Sequence, residues 1–324
     1  MAKLFLVCCL FLSMALPAMT LKLGVVAPEG TSFATLLKGL SKEVGELTNN
    51  EVKLKIYYGG SQGDEPDVLR KIRLGQLHGG IFTGKTLGDI NGDVRVMEIP
   101  LSFGANRQKA LETLESMSDF LSAKMEQNGF VNLGFFEIGL VYLVSKKKIS
   151  RWGDLPGIKI WLWEGDPLVT TLVEATKLVS VPLPLPDVLT SLSTGMVDAA
   201  YSPPLAILAL QWNTKVKYLL DYPITYSVGA FLLDKKEWMK VPAKFQNKIM
   251  EVSKKCMRDI TEANAKANQE SLIALKQGGI EFISFPEEDY KIMGNMRREI
   301  ITRLVNKLFT QEALDRAGKQ EQVK

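Results

Sequence analysis

Between Pro242 and about Lys276 the chain contains neither glycine nor proline. That stretch predicts one continuous helix of ~50 Å at a rise of 1.5 Å per residue. A rod of this length exceeds a single small domain, so it is expected to brace two. The chain has 324 residues, 46% of them hydrophobic, which is ample for one or two cores. Its net charge is only +4, and Lys and Arg are interspersed with Asp and Glu. No basic stripe of the kind that holds nucleic acid emerges.

Upstream, periodicity alternates between strand and helix. Leu21–Val26 reads as a strand, and Pro28-Glu29-Gly30 breaks it. Thr31-Ser32 then caps a helix with Phe33, Leu36, Leu37, Leu40, Val44 and Leu47 at helical spacing. Val52–Tyr57 alternates apolar and polar residues, as a half-exposed strand does. Asp64–Gly75 predicts a helix and Gly79–Thr83 a strand. This is the rhythm of a parallel sheet with crossover helices. A helix from about Arg107 to Gln127 follows, then strands at Val131–Phe136 and Leu140–Val144. A separate α/β block comes next: strand Gly157–Leu162, helix Pro167–Leu178, helix Asp187–Thr194 and strand Met196–Tyr201. Phe231–Leu233 returns as a strand. A chain that leaves one α/β unit, builds a second and returns predicts two lobes, a ligand cleft between them and hinge closure.

The start of the chain reads as an export signal. Met1-Ala2-Lys3 is positive, Leu4–Leu16 is almost wholly apolar, and Pro17-Ala18-Met19-Thr20 offers small residues for cleavage. The apolar run is shorter than the ~20 residues that span a bilayer, and no later stretch is long enough. The competing reading is a buried N-terminal strand or helix. Cys8 and Cys9 fall inside the signal, which leaves Cys256 alone and no intramolecular disulfide. The expected product is periplasmic and not lipid-anchored. The expected organisation is a signal over 1–19, a first domain over 20–140, a second over 141–230, and a return over 231–324.

Catalytic constellations are scarce. His78 is the single histidine and sits at a helix-to-strand joint, and no G-x-S-x-G turn or phosphate-binding G-x-x-x-x-G-K-[ST] loop is present. Cys256 lies inside the long helix and reads as packed. Gly59-Gly60-Ser61-Gln62-Gly63 is a turn or, less specifically, a backbone anion site. No cofactor or metal is expected, and the chain does not read as an enzyme. The segment Trp161-Leu162-Trp163-Glu164-Gly165-Asp166-Pro167 says more, because it ends a strand and opens a helix, where α/β sheets bind ligands. Alternation puts Trp161 and Trp163 on one face, supplying apolar area and two indole donors, with core packing as the alternative. Glu164 and Asp166 read as helix caps more readily than as metal ligands. Tyr201-Ser202 ends another strand at a proline turn, and Trp212 and Tyr226 follow in a block with no obvious cationic anchor.

The order of motifs resembles the dicarboxylate-binding-protein-like family of TRAP transporter solute receptors. The run Leu23-Gly24-Val25-Val26-Ala27-Pro28-Glu29-Gly30 continues through Tyr57–Gly63, Val68-Leu69 and Leu74-Gly75. Ile99-Pro100-Leu101-Ser102-Phe103 is similar to the family's D-L-P-F-L-F, and Leu133–Gly139 to its L-G-F-W-E-N-G. Asp154–Ile160, Val181-Pro182-Leu183-Pro184 and Leu192–Asp198 match D-L-K-G-L-K-I-R, V-P-L-P and L-Q-T-G-V-V-D. The resemblance implies a two-domain, periplasmic-binding-protein-like α/β fold closing on a small molecule, with delivery to the membrane permease subunits. It also implies an arginine after G-L-K-I that pairs with a ligand carboxylate, and here Trp161 stands in its place. Leu140 and Val141 stand where a second basic residue often follows, and Ser202 where the family's E-N-P turn has asparagine.

The expected ligand contacts are Phe33, Phe82, Thr83, Glu137, Trp161, Trp163, Tyr201, Ser202, Trp212 and Tyr226. Replacing arginine by indole removes the strong bidentate contact, so a neutral, hydrophobic or amphipathic solute is expected. One alternative keeps an organic acid held by backbone N–H groups or by a metal near Glu164 and Asp166. Another is a periplasmic interaction protein, with a helical-repeat lipoprotein as a candidate partner.

Overall fold

The computed structural model describes residues 18–318. The chain runs β1 (Met19–Gly24), α1 (Ser32–Leu47), β2 (Val52–Tyr57), α2 (Glu65–Arg73), β3 (Gly79–Thr83) and α3 (Gly84–Ile90). A 3₁₀ segment (Gly92–Glu98), α4 (Arg107–Gln127) and the long β4 (Phe130–Ser145) follow. Then come β5 (Lys159–Leu162), α5 (Pro167–Thr176), β6 (Val179–Pro182), α6 (Val188–Thr194), β7 (Ala199–Ser202), α7 (Pro204–Ala209), β8 (Tyr218–Leu220) and β9 (Thr225–Asp234). The chain continues through α8 (Lys235–Lys240), α9 (Ala243–Gln277), β10 (Glu281–Ile283), α10 (Glu287–Leu304) and α11 (Gln311–Gly318). Most of the segment read as an export signal, residues 1–17, lies outside the described residues. Met19, its last residue in that reading, pairs with Val52.

The strands form one sheet in the order β2-β1-β3-β9-β4-β7-β5-β6, with β8 against β4 and β10 against β8. β1 pairs in parallel with both β2 and β3, so α1 and α2 are the crossover helices the alternating pattern required. β5 pairs in parallel with β6 and β7 in the second lobe. The lobes share two strands. β9 pairs with β3 at one end and with β4 along most of its length, and β4 runs on to pair with β7 and β8.

β4 differs from the two separate strands that the sequence pattern suggests. Its register slips between Asn132 and Gly134 and again between Glu137 and Gly139. Gly134 (φ +147°) and Gly139 (φ +144°) take backbone conformations closed to most L residues. A β-bulge therefore interrupts the alternation without ending the strand. A Cβ at Gly139 would lie 2.3 Å from Asn268 Nδ2, so α9 also needs glycine there to approach.

α9 spans 35 residues and braces both lobes. Its N-terminal half packs Phe245, Ile249, Met257 and Ile260 with Leu133 and Phe136, and Leu275 reaches the core of the second lobe. Opposite the second bulge it carries polar residues. Thr261 Oγ1 accepts from Glu137 N at 3.0 Å, and Asn264 Nδ2 donates to Glu137 O at 2.8 Å. Asn268 donates to Ile138 O at 2.8 Å and accepts from Leu205 N at 2.9 Å. These side chains satisfy peptide groups that the broken ladder leaves over. Cys256 is packed in the same helix, and burial pushes its thiol up to about 12.

Candidate functional site

The first lobe presents three short pieces to the cleft. β3 ends at Thr83, whose N and Oγ1 both donate to Glu65 Oε2, at 2.9 and 3.1 Å. Glu65 is buried at the start of α2, and loss of hydration pushes its carboxyl up to about 7 despite these bonds. α3 starts immediately at Gly84, where a Cβ would lie 2.0 Å from both carboxylate oxygens of Glu98. The 3₁₀ segment, tied at its start by Asn91 Oδ1 accepting from Asp93 N (3.1 Å), turns Arg95 and Glu98 toward the second lobe.

From the second lobe, Asp166 faces them. It caps α5, accepting from Leu168 N (3.0 Å) and Val169 N (3.2 Å). Arg95 Nη2 donates to its two oxygens at 3.1 and 3.0 Å, and Arg95 Nε stands 3.0 Å from Glu98 Oε2. The Arg95 side chain is 3% exposed and that of Asp166 2%. Burial works against the guanidinium's charge, but Asp166 and Glu98 outweigh it and hold its pKa above the usual value. Burial raises the Glu98 carboxyl, and Arg95 opposes that rise. A second contact crosses the cleft where Leu185 N donates to Asp64 Oδ2 at 3.3 Å.

Aromatic rings build the wall beside this cluster. Tyr201 on β7 stacks on Trp161 at 5.2 Å, and Trp161 meets Trp163 at 5.7 Å and Trp212 edge-on at 5.4 Å. The Tyr201 hydroxyl is buried, and its O–H has no acceptor among the described residues. Burial, then the nearby carboxylate of Asp166, keep that phenol well above its ordinary pKa. A cavity of about 90 Å³ lies between the lobes. Thr83, Lys85, Arg95 and Glu98 line it on one side, and Trp163, Asp166 and Tyr201 on the other. Lys85 is paired with Asp89 at 2.7 Å.

Thr83, Trp163 and Tyr201 are thus brought together from three strand ends. Trp161 lies directly behind them, 2% exposed, its indole N–H donating to Leu183 O at 2.9 Å. The other candidates sit elsewhere. Trp212 and Phe82 are buried in the cores of the second and first lobes. Phe33 packs on Phe136 at 5.5 Å, and Ser202 pairs with Tyr142 in the β7–β4 ladder. Glu137 is 1% exposed and already holds Arg107 Nε at 2.8 Å and the Tyr226 hydroxyl at 3.2 Å. Asp166 serves as a cap and Glu164 is exposed. No cluster of three or more metal-ligating side chains occurs among the described residues.

Although tryptophan replaces arginine at position 161, an arginine still reaches the cleft, from the opposite lobe. Arg95, Glu98 and the cross-lobe role of Asp166 are not singled out by the sequence motifs. The available signal is local: Arg95 and Glu98 stand three apart in the otherwise apolar run Val94–Ile99, a spacing that suits a buried ion pair on one helical turn.

The family model for bacterial extracellular solute-binding protein, family 7, matches residues 23–308. The 2,3-diketo-L-gulonate-binding periplasmic protein of Escherichia coli is 21% identical over 276 residues, covering 85% of this chain and 84% of its own. A TRAP periplasmic solute-binding protein of Haemophilus influenzae with bound L-gulonate superposes with a TM-score of 0.85 at 22% identity, covering 94% of this chain and 100% of its own. One from Desulfovibrio salexigens with bound orotic acid superposes with a TM-score of 0.83 at 21% identity, covering 93% and 98%. The two lobes joined by shared strands, the cleft between them and the family match over almost the whole described chain lead to one conclusion: this protein belongs to family 7 of the bacterial extracellular solute-binding proteins, the periplasmic receptors of TRAP-type transporters, and is not an enzyme.

Proposed function

We propose that this receptor takes a small solute without net negative charge, partly apolar, into the interlobe cavity and hands it to a TRAP permease. The mature protein would act in the periplasm after removal of residues 1–19. The supporting observation is that Arg95 is already balanced by Glu98 and Asp166, and Lys85 by Asp89. A ligand carboxylate would come to rest beside two carboxylates, with no uncommitted cation among the described residues that line the cavity. A desolvated charge without a partner is costly. The rings of Trp163 and Tyr201 instead offer apolar area. Native mass spectrometry of the purified protein, followed by thermal unfolding with the solute it retains, tests this reading. A solute at 100 times its Kd should add about 2.7 kcal/mol of stability. Tight binding of succinate or malate would sink it.

A second reading keeps an organic acid. The Haemophilus and Desulfovibrio structures hold L-gulonate and orotic acid, and the Escherichia relative is named for 2,3-diketo-L-gulonate. The Arg95–Asp166 pair crosses the lobes, so opening the cleft must break it and free one edge of the guanidinium for a ligand carboxylate. Saturable binding of gulonate to the wild-type protein by titration calorimetry would favour this second reading.

A further inference from the structure

Among the described residues, two buried donors in the cavity wall lack acceptors. The Tyr201 O–H has no acceptor. Arg95 Nε–H stands 3.0 Å from Glu98 Oε2, yet its direction does not make a hydrogen bond to it. The two groups come from opposite lobes and line the same cavity. Beside them Glu98 keeps acceptor capacity. Among the described residues its Oε1 receives only Ser227 Oγ at 3.4 Å and Val228 N at 3.5 Å, contacts at the limit of hydrogen bonding. The wall therefore presents unsatisfied donors next to an underused, anionic acceptor.

That pattern discriminates among polar ligand groups. A carboxylate carries acceptors only, so one oxygen would face Glu98. A protonated amine carries no acceptor for Tyr201 and Arg95. A carboxamide, lactam or cyclic imide has a carbonyl acceptor and an N–H donor on one planar edge and no charge. We propose that the cavity recognises a neutral amide-type group, its carbonyl oxygen accepting from Tyr201 Oη and Arg95 Nε and its N–H donating to Glu98. This assignment rests on the reading of the cleft as a site for uncharged solutes. A volume of about 90 Å³ suits such a head group, with Trp163 offering a ring for the rest of the molecule.

The test is titration calorimetry on the mature protein with matched pairs: nicotinamide against nicotinate, succinamide against succinate, and 2-pyrrolidinone as a lactam without an acid. The amide of each pair should bind at least about ten-fold more tightly than its acid, because a site built for a donor and an acceptor rejects a partner lacking one. Tyr201→Phe should lose most of the amide affinity while unfolding at the wild-type temperature, and Glu98→Gln should shrink the amide-over-acid preference. Acids that match or outbind their amides overturn the proposal. If sorbitol or another neutral solute binds and amides do not, the amide assignment falls and the neutral-solute reading stands. If no small molecule binds or co-purifies, that reading fails and the proposal fails with it.

Discussion

Glu65 shows how one side chain couples the site to pH. It is buried, bonded to both donors of Thr83, and raised from 4.5 to about 7 chiefly by lost hydration. Because the folded-state value is the higher one, the folded protein holds this proton more tightly. The contribution is fully present below pH ~4.5 and is lost as pH rises through about 7. At 1.36 kcal/mol per unit the loss is about 3 kcal/mol. Glu65→Gln should flatten this part of the stability profile and make the protein more stable at pH 8, by about 1–3 kcal/mol in urea denaturation. Gly84 is a second sensitive position. Alanine there would drive its Cβ into the Glu98 carboxylate that Arg95 holds. Gly84→Ala should cost about 1–3 kcal/mol, as overpacking does, and should also weaken solute binding in calorimetry. The local spacing of Arg95 and Glu98 is visible in sequence, but the contact with Gly84 depends on how α3 and the 3₁₀ segment pack.

At the scale of elements, β4 and α9 act as one unit. A glycine at a bulge looks like a strand break because periodicity records only which residues alternate, not whether the backbone runs on. Here the strand continues, and the side chains of Thr261, Asn264 and Asn268 replace the ladder bonds lost near Glu137. Asn264→Ala should leave the Glu137 carbonyl without a partner and cost about 1–3 kcal/mol. The check is chemical denaturation together with hydrogen exchange, which should speed up around Glu137–Leu140 and spare β1 and β2. Polar positions inside the buried stripe of a long helix are the sequence trace of this function, though their partners cannot be read from the helix alone. The same unit explains Glu137 and Tyr226. Both carry ligand-type chemistry, but Glu137 is paired with Arg107 and the Tyr226 hydroxyl donates to Glu137.

Across the whole molecule, closure brings Arg95 against Asp166, and the lobes meet again at Asp64 and Leu185. Asp166→Asn keeps the side-chain size and removes the charge that opposes Arg95. Breaking one partner of a buried pair costs about 3–5 kcal/mol, and part of that cost is avoided by opening the cleft. The variant should therefore show a larger radius of gyration than wild type in solution scattering, and bound solute should reduce the difference. An unchanged radius would mean that the shared strands and α9, not this ion pair, set the closed form.

Features that depend on contiguous pattern are legible in the chain before folding. The parallel start of the sheet follows from alternation in β2 and helical spacing in α1, and the brace follows from a long stretch without glycine or proline. Motif order was enough to point to the receptor family. Which charges meet is set by the packing of the two lobes. Arg95 and Asp166 are 71 residues apart and on different lobes. No periodicity selects one carboxylate from the 36 acidic residues of the chain. Ion pairing across a cleft depends on distance and burial after the lobes are assembled, and these exist only once the chain has folded.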